Sequence, residues 1–209
     1  MSIPSIGFKE GEALLDWVGF TEALAKAGIS EMPTTWDEFN AAADKLMAAG
    51  ITPLAHGGQP WQERALFNAI LLQQGGKDLY MKVYQDKDAE AAAGPEIAKV
   101  FKAADDARKM AANSNVQDWN QATNLVITGQ AGGQIMGDWA QGEFQVAGQV
   151  AGKDYSCLPG LGVNELISVG GDAFYFPVLD DPEKTAAQEV LASSMLSPET
   201  QVAFNLKKG

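Results

Sequence analysis

Gly132-Gly133-Gln134-Ile135-Met136-Gly137-Asp138-Trp139-Ala140-Gln141-Gly142-Glu143-Phe144 reads as a short apolar strand over 133–136. It runs out to a Gly-Asp-Trp edge, with a helix over about 138–151 beginning behind it. A second apolar run, Ile51-Thr52-Pro53-Leu54-Ala55-His56, reads as a strand and ends in Gly57-Gly58-Gln59-Pro60-Trp61-Gln62. Its internal proline fits an edge or strand-start position, because proline cannot donate to a sheet ladder. Each strand end carries a Trp beside carboxylate or amide groups. A flat aromatic face next to hydrogen-bonding side chains suits a sugar: the ring packs on the indole and the polar groups bond its hydroxyls. The competing reading is that both Trp are core anchors, since aromatics dominate core burial.

Working outward, helical signals separate the strands. Asp16 to Ala27 reads as a helix closed by Gly28. Thr35-Trp36-Asp37-Glu38 has the form of a capping box, followed by Phe39, Ala43, Leu46 and Met47 at helical spacing. Trp61 to Gln74 reads as a helix ended by Gly75-Gly76, and Asp78 to Asp86 as a short one. Pro95 opens a long helix to Ala112, with Ile97, Val100, Phe101 and Ala104 expected inward. Asn120 to Thr128 is another helix. Lys153–Leu158 and Ile167–Val178 read as extended, joined by the turn Pro159-Gly160-Leu161-Gly162. Asp181 to Leu196 places Ala187, Val190, Leu191 and Ser194 on one stripe, and Ser197-Pro198-Glu199 opens the last helix. The pattern is helix-rich α/β.

Composition excludes several classes of function. The chain has 209 residues and a net charge of -12, enough length for a substantial core. No Lys/Arg cluster is present to neutralise phosphates, so nucleic acid is excluded as an expected partner, and so is an anionic membrane surface. No apolar run approaches the ~20 residues that span a bilayer. Met1-Ser2-Ile3-Pro4 lacks the basic start and apolar core of a signal peptide. The single cysteine, Cys157, cannot form an internal disulfide. One His and one Cys cannot build a zinc site of the usual N/S type. No cofactor or metal is expected, and a neutral ligand fits best.

A series of motifs carries a family resemblance. In order they are Lys26-Ala27-Gly28-Ile29, Pro33-Thr34-Thr35-Trp36-Asp37-Glu38-Phe39, Gly50-Ile51-Thr52-Pro53-Leu54-Ala55, Gly58-Gln59-Pro60-Trp61-Gln62 and Met136-Gly137-Asp138-Trp139. Lys153-Asp154-Tyr155-Ser156-Cys157, Gly170-Gly171-Asp172-Ala173-Phe174 and Phe204-Asn205-Leu206-Lys207-Lys208-Gly209 follow. Across residues 24–209 the chain resembles the extracellular solute-binding proteins of bacterial sugar ABC transporters, family 1, of the glucose/mannose type. The resemblance implies a type II periplasmic-binding-protein clamshell of two α/β lobes with the sugar in the cleft. Family chains are longer, and this one looks like the second lobe with adjoining hinge elements. Residues 1–23 form an N-terminal segment of unassigned origin, partly helical, of which residues 5–16 match nothing in the family pattern. Family chains usually run Asn-Leu-Lys-Lys-Gly directly into Ser-Ile-Pro, whereas here Ser2-Ile3-Pro4 stands at the other end. That arrangement implies a permuted or engineered isolated lobe, and a chance tripeptide match is the alternative. The family often pairs a Cys at the position of Cys157 with one downstream of the Lys-Lys-Gly segment.

Carried over by motif, the resemblance implies Trp61 and Trp139 as stacking platforms. Asp138 and Asp172 would be charged acceptors of sugar hydroxyls, with Gln59, Gln62 and His56 as further polar contacts. His56 equally fits a loop hydrogen bond, and Asp172 a turn cap. The expected function is non-catalytic binding of a neutral monosaccharide such as glucose, in a parent protein that is periplasmic or extracellular. That parent would work with a first lobe and a membrane ABC permease. The first alternative is a lobe that folds but no longer binds. The second is a glycoside hydrolase, which needs two carboxylates flanking the bond, for instance Asp138 with Glu143 or Asp172. An isolated lobe exposes its cleft surface, which favours a homodimer.

Overall fold

The computed structural model describes residues 16–31, 33–112, 114–159 and 174–208. Its centre is a four-stranded sheet made of β1 (Asp16–Phe20), β2 (Thr52–Ala55), β3 (Ala131–Met136) and β4 (Tyr155–Pro159). The strand order is β2-β3-β1-β4. β2 runs parallel to β3, with Thr52 opposite Ala131 and Ala55 opposite Gln134. β1 is antiparallel to both neighbours: Asp16 faces Met136 in β3, and Phe20 faces Tyr155 in β4. β2 stands at the edge, where Pro53 is tolerated.

Here one sequence expectation fails. Asp16–Phe20 is a strand, and only α1 (Thr21–Lys26) is helical. Trp17, Val18 and Phe20 are good strand formers, and the strand is paired on both sides, so tertiary pairing overrides the apparent helical spacing.

β3 is buried at all of its positions, because helices cover both faces of the sheet, as happens in α/β layers. On one face lie α2 (Trp36–Ala48), α3 (Pro60–Tyr84) and α5 (Pro95–Met110). Trp36, Phe39, Leu46, Leu54, Leu66, Ile70, Val100 and Ile135 form a single apolar cluster there. The other cluster joins Ala55, Ala122, Val126, Phe144 and Tyr155 from β2, β4, α6 (Trp119–Ile127) and α7 (Ala140–Val146). Phe144 and Tyr155 stack there with ring centres 4.2 Å apart. Leu54 and Ala55 are consecutive and enter opposite clusters, as the strand pleat requires. Gly132 keeps β3 close to α2: a Cβ there would lie 2.6 Å from the Leu46 side chain.

Local signals explain most helix ends. The Thr35 hydroxyl accepts from the Glu38 amide at 3.2 Å. The returning bond of the capping box shifts by one residue, because the Glu38 carboxylate accepts from the amide and hydroxyl of Thr34 at 2.8 and 2.9 Å. α3 includes both expected helical stretches: Gly76 takes φ 68° and breaks the run, but helix resumes at once to Tyr84. In α5 the buried face is Ile97, Val100, Ala103 and Ala107. Phe101 is instead exposed and meets Phe67 at 5.0 Å. Small alanines let α5 approach α3, and the bulky ring moves to the rim. α7 is shorter than the expected 138–151.

Downstream, α4 (Ala89–Ala93) is a short surface helix. α8 (Pro182–Met195) and α9 (Pro198–Lys208) follow β4 in the chain. α8 has no buried residue. The expected stripe is therefore not inward, with Val190 66% and Leu191 51% exposed. α9 touches α7. Residues 174–178 have no regular structure. The Gly160–Gly162 turn and the rest of the expected strand from Ile167 lie outside the described residues. Among those described, no helix is long and apolar enough to cross a membrane.

Candidate functional site

Three of the chain's five tryptophans meet at the starts of three helices. Trp61 is the second residue of α3, Trp119 the first of α6, and Trp139 the N-cap of α7. They line a cavity of about 560 Å³ with Gly142, Glu143 and Val146 from α7 and Lys207 from α9. Trp61 and Trp139 face each other with ring centres 6.3 Å apart, tilted by 55°. β2 and β3 both end at this edge of the sheet, and each hands the chain to a helix there.

Backbone shape fixes Trp139. A Cβ on Gly137 would collide with the Trp139 indole, so the ring folds back over the strand exit only because residue 137 has no side chain. Asp138 holds the turn as its Oδ1 accepts from the Trp139 amide at 2.9 Å.

Trp61 is fixed by a polar clamp. Its indole N–H donates to Gln59 Oε1 at 2.9 Å, and Gln59 Nε2 donates to Asp118 at 2.8 Å. Gln62 Nε2 donates to the same Gln59 oxygen at 2.9 Å and to the Gln117 carbonyl at 3.2 Å. Gln62 Oε1 accepts from the Gly57 amide at 3.1 Å. Gly57 bridges Val116 in parallel. Ser114 Oγ accepts from the His56 amide and donates to the Leu54 carbonyl, both at 3.1 Å. The loop after β2 is thereby tied to the segment before α6, which sets Trp61 relative to Trp119.

The candidates expected from the sequence fall in different places. Trp61 and Trp139 line the cavity, and Asp138 is half-buried beside it. Gln59 and Gln62 lie behind the Trp61 wall, and Gln62 is 1% exposed with its amide engaged in the clamp. His56 does not line the cavity. Its Nε2 is buried without a hydrogen bond, 3.6 Å from Glu63 Oε1. Glu63 in turn lies 3.4 Å from Arg108. Burial pushes the His56 pKa below the ordinary histidine range; Glu63 partly offsets this, and Arg108 adds to it. Asp172 lies outside the described residues.

Sequence reasoning misses Trp119 and Lys207 and raises Glu143 only as a catalytic partner. Asp118-Trp119 repeats the Asp-Trp pair of Asp138-Trp139 directly before a helix, a signal that could have found it. Lys207 carries no local signal, since it reaches the cavity only because α9 packs on α7.

Indole faces, a carboxylate and an ammonium in one recess can hold a ring with apolar C–H faces and hydroxyl edges. Among the described residues no group of three His, Cys, Asp or Glu side chains is arranged to hold a metal ion.

The sequence pattern of the family described as bacterial extracellular solute-binding protein matches residues 11–201. The chain is 42% identical over 197 residues to a protein of Brucella suis biovar 1 (strain 1330) named as a probable sugar-binding periplasmic protein, covering 93% of this chain and 46% of that one. A like-named protein of Rhizobium meliloti (strain 1021) is also 42% identical over 197 residues, covering 93% and 47%. An uncharacterised ABC transporter extracellular-binding protein of Pyrococcus horikoshii is 33% identical over 181 residues, covering 84% and 39%. The chain spans about half the length of the Brucella and Rhizobium relatives.

Among solved structures, a Streptococcus pneumoniae solute-binding protein in complex with the blood group A-trisaccharide superposes with TM-score 0.67 at 22% identity, covering 100% of this chain and 53% of that one. A chitin oligosaccharide binding protein superposes with TM-score 0.56 at 23% identity, covering 80% and 42%. These likenesses establish the fold, which is that of solute-binding proteins.

Proposed function

Because the chain belongs to the bacterial extracellular solute-binding protein family, we propose that it is the carbohydrate-binding lobe of an ABC transporter's substrate-binding protein. In this reading it captures its ligand without catalysis, in a parent protein that is periplasmic or extracellular. The ligand is a neutral, glucose-like monosaccharide whose ring lies among Trp61, Trp119 and Trp139. Lys207 donates to its hydroxyls, and Glu143 and Asp138 accept from them. The observation that carries this reading is the meeting of three indoles with opposite charges in one recess. The sugar-binding names of the Brucella and Rhizobium relatives support it. Asp172 is a further acceptor by motif.

A second reading, a lobe that folds but binds too weakly to matter, is favoured by a specific observation. α8 buries none of its residues, and Val190, Leu191 and Leu196 stand exposed. A helix with an apolar stripe normally has a partner. The missing half of the family chain is that partner in this reading, and it also supplies the second wall of the cleft. Losing one wall weakens binding: a loss of ~4 kcal/mol turns a micromolar ligand into a millimolar one. Calorimetric titration with glucose and with mannose separates the readings. Saturable heat supports the first, and none at high millimolar sugar supports the second.

A further inference from the structure

We propose that His56, Glu63 and Arg108 form a proton-operated latch on the cavity wall carried by Trp61. The inference rests on the geometry beneath that wall and not on the identity of the ligand. His56 follows β2, and its side chain is 9% exposed. Its Nε2 is buried with no hydrogen-bond partner among the described residues, an arrangement that native interiors rarely keep without a reason. Glu63 Oε1 lies 3.6 Å away, outside hydrogen-bond range, and 3.4 Å from the Arg108 guanidinium. One carboxylate thus stands between two groups that can claim it.

The charged side chains facing the imidazole from the elements packed around it are Glu63 of α3 and Arg108 of α5. The Ser114 segment contributes a hydroxyl to the His56 backbone, and the Asp118 carboxylate is engaged by Gln59. Protonation from solvent turns Nε2 into a donor aimed at Glu63. A charge-assisted bond closes to about 2.7–2.9 Å. Arg108, whose side chain is 64% exposed, gives up its share to water at little cost. Glu63 sits in the first turn of α3, two residues past Trp61, with immobile Gln62 between them. Drawing Glu63 toward β2 therefore shifts the start of α3, and Trp61 moves against Trp139.

His56 is the only histidine in the chain, so its imidazole resonances need no assignment. The test is an NMR titration from about pH 8 to about pH 5, the window in which histidine changes charge. It follows the imidazole C–H and the Trp61 indole N–H, the latter identified by Trp61→Phe, with far-UV circular dichroism as a control. The expected result is one shared midpoint at constant secondary structure. In Glu63→Gln the imidazole still titrates but the Trp61 resonance stays still. Should Glu63→Gln not fold, Arg108→Gln serves, with the expectation of a higher imidazole midpoint and a matching move of the Trp61 transition. The proposal is overturned if Trp61 is insensitive to the His56 titration, if its shift persists in Glu63→Gln, if Arg108→Gln leaves the midpoint in place, or if unfolding accompanies the titration.

Discussion

Trp36 and Trp139 both stand at helix starts, yet they do different work. Trp36 is 2% exposed and stacks on Phe39 at 5.4 Å. Trp139 is half-buried, with one side on Gly137 and another toward the cavity. Trp36→Ala is therefore expected to cost about 3–5 kcal/mol, the usual range for a core Trp. Trp139→Ala should cost clearly less, because part of its surface already faces water. Urea unfolding of the two variants checks this, and equal losses would make Trp139 a core anchor. At the same scale, the depressed pKa of His56 sets a pH dependence. Between its folded pKa and the unfolded value of about 6.5, the unfolded chain binds more protons. Stability is then complete above that window and falls as pH drops through it. His56→Gln should flatten the dependence of melting temperature on pH in the mildly acidic range. An unchanged slope would mean that the imidazole is solvated in solution.

At the level of elements, the join between the loop after β2 and the start of α6 is what makes the cavity wall rigid. Gln62 supplies one acceptor and two donor contacts to it. Gln62→Leu keeps the volume but leaves the Gly57 amide and the Gln117 carbonyl without that partner. A loss of roughly 1–3 kcal/mol is expected for such an unsatisfied buried group. The comparison is Gln74→Leu on the exposed surface, where a change within about 0.5 kcal/mol is expected. If both variants unfold alike, the clamp is not structural.

Elements differ in how legible they are in the sequence. β2, β3, α2 and α6 are readable because caps, glycines and apolar spacing agree locally. β1 is not, because Asp16–Phe20 continues the spacing of the helix that follows, and only its two antiparallel partners make it a strand. The inward face of α5 is hidden for a related reason. Sequence favours burying Phe101, but the close approach to α3 leaves room only for Ala103 and Ala107. In the cavity, Trp61 and Trp139 are visible from their strand ends, whereas Lys207 arrives by tertiary packing alone.

On the scale of the whole molecule, two features pull against each other. The net charge of -12 keeps copies apart, while α8, α9 and the 174–178 segment expose Tyr175, Val178, Val190, Leu196 and Phe204. Exposed apolar surface of this kind marks an interaction face. The chain should self-associate more strongly as salt screens its charge. Val190→Glu with Leu191→Glu should reduce that association and leave the melting temperature nearly unchanged, because neither side chain is buried. Light scattering across a salt series reads the first effect, and a thermal melt the second. A large drop in melting temperature would place α8 in the core.

The cavity itself is tested most directly by intrinsic tryptophan fluorescence during a glucose titration, run beside Trp139→Ala. Three indoles line the recess, so a bound ring must perturb the signal. We predict a saturable change with a dissociation constant of about millimolar, the weakness expected when ~4 kcal/mol of contacts is missing from a micromolar site, and no saturable change in Trp139→Ala. A signal that does not saturate with glucose or mannose, or one that survives intact in Trp139→Ala, would contradict a sugar site between these helices.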